Sequence, residues 1–154
     1  MTGTTAQATA AAKVSALQAA LRAENAAVYG YGVVGAHLTG TALAAATSDW
    51  IAHQVARDSL EAMLRSSGSR PVAAAVAYRL PHPVHTPAAA MLLAVTLEDK
   101  VAAAYLGLVA LPGAAIRELG ARAVIAAAIR AASWRGKTVA FPGFAAGALS
   151  PASR

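Results

Sequence analysis

LRAENAAVYGYGVVGAHL, residues 21–38, decides how this chain is read. Its small apolar residues form a helix, and no strand pattern precedes its glycines. On a heptad the a and d positions are Val14, Leu17, Leu21, Glu24, Val28, Tyr31, Gly35 and Leu38. Glu24 therefore stands on the apolar seam. A carboxylate buried there without a partner is costly, so the rest of the chain must supply one.

Composition sets the frame for that search. Alanine supplies 45 of the 154 residues, which favours many helices packed at short range. Period-two runs of Val, Ile and Thr are missing, which argues against strands. Without cysteine, disulfides and thiolate metal sites are excluded. The net charge of +6 comes from scattered arginines with no basic run, so nucleic acid is not the expected partner. The mean hydropathy of +0.50 raises membrane insertion. The uncharged window 25–48 is mostly alanine with polar interruptions, however, and prolines break residues 80–97. A cytoplasmic protein without membrane insertion is expected.

The helical pattern predicts four segments at about 13–38, 48–66, 88–110 and 114–135. Ser48 or Asp49 is the expected cap of the second, Pro87 opens the third, and Gly136 closes the fourth. Residues 1–12 read as a flexible leader, 13–136 as the bundle, and 137–154 as a tail that Phe141 and Phe144 pin down, with Trp134 and Arg135 anchoring its start. The links are GTALAAATS, then SGSRPVAAAVAYRLPHPVHTP, then LPG. In the middle one PVAAAVAY is expected as a short helix. Short, long, short describes two antiparallel hairpins joined by a crossover.

The other seams carry polar residues too. The third helix gives Met91, Ala94, Glu98, Val101, Tyr105 and Leu108; the second gives Trp50, His53, Arg57, Leu60 and Leu64; the fourth includes Arg130. Glu24 and Glu98 are 74 residues apart, as are Tyr31 and Tyr105, while Arg57 and Arg130 are 73 apart. This weak repeat predicts a core layer of Glu24, Arg57, Glu98 and Arg130 with Tyr31 and Tyr105, in which two carboxylates meet two guanidiniums. His53 reads as a satisfied interior histidine, His82 and His85 as loop residues, and Gly30, Gly32 and Gly35 as sites of close helix approach.

The stretches AENAAVYGYGVVGAHL, ARDSL, AYRLPHPV, TLEDKVAAAY and RAASWRG followed by FPG resemble an alanine-rich bacterial family of the ferritin-like superfamily, of unknown function. The resemblance spans roughly residues 20–143 and implies an all-α antiparallel four-helix bundle with a long crossover between helices 2 and 3. Di-iron members place a Glu on two helices and Glu-x-x-His on the other two. Glu24 and Glu98 match the lone carboxylates and His53 matches one histidine. Trp50 stands three residues before it where a Glu belongs, and the fourth helix has no histidine.

No catalytic residue set and no cofactor are therefore expected. The expectation is a metal-free scaffold or interaction protein, a homodimer through an alanine-rich face, with no named protein partner. Two alternatives stand beside it. One is an iron or manganese oxidoreductase with a reduced ligand set of Glu24, His53 and Glu98. The other is a basic accessory protein that binds RNA or an acidic partner.

Overall fold

The computed structural model describes residues 2–139 and 142–144. Four helices carry the fold: α1 (Thr2–Ala36), α2 (Gly40–Ser66), α3 (Pro87–Val109) and α4 (Ala114–Arg135), with no strand among the described residues. α1 and α3 pack along each other at the centre, α2 lies on α1, and α4 lies on α3. The core is mostly alanine, leucine and valine from α1 and α3, completed by His53, Leu60 and Leu64 of α2 and Ala127 and Ala131 of α4. None of the helices is long and apolar enough among the described residues to cross a membrane.

Two helices begin earlier than expected. α1 starts at Thr2, so the segment read as a leader continues the helix, with residues 5–13 exposed. α2 starts at Gly40, and only residues 37–39 separate it from α1. Thr39, extended at φ −138°, is its N-cap, not Ser48 or Asp49. The physical reason lies in TALAAAT, which contains no helix breaker and carries a core residue. Ala46 is buried, and Leu43 reaches Gly35 across the turn. Asp49 is thereby moved into the body of α2.

α3 begins as expected. Thr86 is extended, its hydroxyl accepts from the Ala89 amide at 3.2 Å, and Pro87 fills the first turn where no amide is needed. α4 closes at Gly136, whose amide donates to Ala132 O.

The crossover is not helical at PVAAAVAY. Gln18 holds it extended: its side-chain amide donates to Arg70 O at 2.7 Å and accepts from Val72 N at 2.9 Å. These two backbone groups lie two residues apart, the repeat of an extended chain, so one glutamine acts as a strand partner. Tyr78 packs on Tyr29 with ring centroids 5.4 Å apart, and Val84 is buried against the bundle.

Phe141 lies outside the described residues. Phe144 is half exposed. A close contact falls at Gly143, where an added Cβ would lie 2.9 Å from Ala103 N on α3. Another close approach is at Gly120, where a Cβ would meet Leu108 Cβ at 2.9 Å and the Val109 amide nitrogen at 3.0 Å. Gly32 in α1 has open space at the same position. Gly120→Ala is therefore expected to lower the unfolding free energy by about 1–3 kcal/mol, as overpacking does. Gly32→Ala is expected to raise it by about 0.5–1 kcal/mol through helix propensity. Urea unfolding of the two variants checks both, and equal responses would contradict the packing at Gly120.

Candidate functional site

The polar layer sits between α1 and α3. Glu24, His53 and Glu98 are each at most 2% exposed. His53 donates from Nδ1 to Glu24 Oε2 at 2.6 Å and from Nε2 to Glu98 Oε1 at 2.9 Å. Arg130 donates from Nε to Glu98 Oε1 at 2.9 Å. The tyrosines cross over: Tyr31 of α1 donates to Glu98 of α3 at 2.6 Å, and Tyr105 of α3 donates to Glu24 of α1 at 2.8 Å. Two carboxylates thus meet two cations, with a hydroxyl on each carboxylate.

Of the residues expected in the layer, Glu24, Glu98, Arg130, Tyr31 and Tyr105 are brought together. Arg57 is not. Its guanidinium pairs with neighbouring Asp58 at 2.8 Å on the outside of α2. His53, one turn earlier, takes the place expected for it. Positions 53 and 57 share one face of α2, and the His53 ring takes the layer while the Arg57 side chain turns to Asp58. The true repeat of 74 carries position 57 to Ala131 and position 53 to Ala127, both buried. An offset of 73 therefore does not join equivalent faces.

Two participants were missed. Trp134, expected to anchor the tail, donates from Nε1 to Asp49 Oδ2 at 2.8 Å and to the Tyr31 hydroxyl at 3.1 Å. Asp49 Oδ2 also lies 3.3 Å from the Tyr31 hydroxyl. The signal was present: Asp49 stands four residues before His53, so both occupy one face of α2. Arg135 pairs with Asp99 at 2.6 Å.

The charges tune one another. Burial opposes a charged His53, but its hydrogen bonds to Glu24 and Glu98, with their charges, outweigh burial and push the ring up to about 9. Burial likewise opposes the Glu98 carboxylate, yet His53, then Arg130 and the Tyr31 hydroxyl, hold it below the usual value. Burial raises the hydroxyls of Tyr31 and Tyr105, reinforced by Glu98 and Glu24 respectively, so both remain donors. Asp49 is raised by burial, with Glu98 adding to the shift against the opposing hydrogen bond from Trp134.

The donor set can be compared with a di-iron centre. Both ring nitrogens of His53 carry protons toward carboxylates, so neither offers a lone pair to a metal. Glu98 Oε1 already accepts three bonds, while Oε2 is buried without a partner. Among the described residues no group of three or more His, Asp or Glu is arranged to hold a metal ion. This arrangement does not fit such a centre.

Residues 16–146 match a family described as "Domain of unknown function (DUF4439)". The chain belongs to this family. It is also similar to the crystal structure of a conserved hypothetical protein, rv2844, from Mycobacterium tuberculosis. That similarity has a TM-score of 0.79 and 31% identity, covering 82% of this chain and 96% of the other. No curated protein matches. In this DUF4439 chain the layer spans residues 24–134, inside the matched region.

Two predictions follow from the charges. The folded pKa of His53 is raised, so its contribution to stability is complete below the ordinary imidazole value of about 6.5. It is lost as pH climbs through about 9. Unfolding free energy should fall between neutral pH and about pH 10, and His53→Gln should start lower and fall less. Denaturant melts at both pH values check this.

Arg130→Met leaves Glu98 short of a cation in a dry layer and should cost about 3 kcal/mol. The double variant with Glu98→Gln should cost less than the sum of the single changes. Strict additivity in a double-mutant cycle would show that the two side chains are not coupled.

Proposed function

We propose that this chain is a ferritin-like, antiparallel four-helix bundle that works as a metal-free scaffold or interaction protein, with an ion-paired layer where a di-iron centre would lie. The observation that carries this reading is His53, which donates from both ring nitrogens to carboxylates. An imidazolium placed between two carboxylates supplies the positive charge that metal ions would otherwise provide. Arg130 supplies a second positive charge.

The order of contacts supports the bundle topology. Glu24 meets His53 while Tyr31 meets Asp49, so α2 descends as α1 climbs. Tyr31 meets Glu98 while Glu24 meets Tyr105, which gives the same opposition between α1 and α3. Arg130 reaches Glu98 while Gly120 lies against Leu108, which repeats it for α3 and α4.

The interaction reading rests on apolar side chains that face away from the core. Ile51 and Val55 on α2, and Ile125 and Ile129 on α4, are each more than half exposed. Each pair is four residues apart and so forms a stripe on one helix face. Burying such stripes against a second copy removes apolar surface from water. A homodimer is the assembly this reading favours.

Native mass spectrometry of protein produced with iron and manganese available tests metal and assembly together. A dimer carrying well under one transition metal per chain is expected. Stoichiometric metal lost on Glu24→Ala would replace this reading with the oxidoreductase one. A monomer at every concentration would remove the dimer.

A further inference from the structure

The His53–Glu98 pair is buried; beside the partly exposed Arg130, a guanidinium that stays charged, one hydrogen-bonded arm leads from it to a titratable acid. Tyr31 donates to Glu98 at 2.6 Å and stands 3.3 Å from Asp49. Asp49 is only partly buried, unlike Glu24, His53, Glu98, Tyr31 and Tyr105. Trp134 bridges the same two groups, at 2.8 Å to Asp49 and 3.1 Å to Tyr31, and holds the carboxylate beside the hydroxyl. The related arm has no such exit. Tyr105 ends on Glu24, and the position 74 residues beyond Asp49 is Ala123.

We propose that Asp49 and Tyr31 form the route by which buried His53 exchanges protons with solvent, so that the layer is a one-sided proton conduit.

The step balances without a co-reactant. The His53 Nε2–H bond breaks and its proton moves to Glu98 Oε1. The Tyr31 hydroxyl turns from Glu98 to Asp49, and Glu98 passes its proton to the Tyr31 oxygen while Tyr31 gives its own to the Asp49 carboxylate. Asp49 releases that proton to water, leaving His53 neutral and Glu98 ionised. A solvent proton returns by the reverse sequence. The two transfers at Tyr31 occur together, because a free tyrosinate is strongly disfavoured beside Glu98. The 3.3 Å arm is long for O–H···O and must shorten as the proton crosses. The groups that set the charge around this route are Glu24 and Tyr31 on α1, Asp49 and His53 on α2, Glu98 on α3, and Arg130 with Trp134 on α4. The inference goes beyond the scaffold reading, since it concerns proton traffic and not metal content or assembly.

The test is deuterium exchange of the His53 Nε2–H, followed by NMR on histidine-labelled full chain. Each rate is divided by that of the buried Val101 backbone amide in the same sample, which cancels differences in global stability. In the wild-type chain the ring should exchange at least about tenfold faster than that amide, because it does not wait for unfolding. Asp49→Asn and Tyr31→Phe should each bring the ratio toward one, while Tyr105→Phe should leave it within about twofold of wild type. A wild-type ring that exchanges only at the amide rate would overturn the proposal. So would a ratio insensitive to Asp49→Asn and Tyr31→Phe, or one lowered equally by Tyr105→Phe.

Discussion

His53 between Glu24 and Glu98 is the contact on which the rest of the architecture turns. Two carboxylates from the two central helices approach the same small volume, and neither can stay ionised there without positive charge. An imidazolium presents N–H donors on two edges, so one ring of α2 reaches the carboxylates of both α1 and α3. Once that ring is placed, the rotation of α2 about its axis is fixed. Arg130 then sets α4 through Glu98. All four helices are tied to one cluster, although the backbones of α2 and α4 scarcely approach each other.

Such a layer is weak as a source of net stability, because desolvating four charges offsets much of their attraction. Its effect on register is larger. An interface of alanines offers few knobs and holes to distinguish one axial alignment from the next. The crossed pairs Tyr31–Glu98 and Tyr105–Glu24 do distinguish them. A slip along the α1–α3 interface would break both bonds and strand both carboxylates. We infer that polar specificity compensates here for the plainness of the apolar surface.

Much of this was legible in the sequence, residue by residue. The heptad placed Glu24, Glu98, Tyr31 and Tyr105 on buried seams, because seam position depends only on local periodicity. Pro87 gave the start of α3 and Gly136 the end of α4, because both act locally. The start of α2 was hidden. Alanine-rich sequence carries no mark of where a helix must begin, and the tertiary burial of Ala46 decides it. The extended crossover was hidden for a similar reason: Gln18, far away in sequence, holds Arg70 and Val72 and overrides helix propensity. Arg57 shares a helix face with His53, and periodicity alone does not show that its side chain turns to Asp58 while the imidazole takes the layer.

The site is not symmetric, because the flanking helices carry different residues. The central helices repeat faithfully, so each contributes one glutamate and one tyrosine at matched positions. The flanking helices do not. α2 brings Asp49 and His53 where α4 has Ala123 and Ala127, while α4 brings Arg130 and Trp134. All four polar side chains of the flanking helices act on the Glu98–Tyr31 side, and only His53 also touches Glu24. Glu98 therefore carries the larger share of positive neighbours, and Tyr31 is the hydroxyl placed beside a partly exposed acid. A symmetric pair of central helices supplies the frame, and the unequal flanking helices turn one of its two matched arms outward.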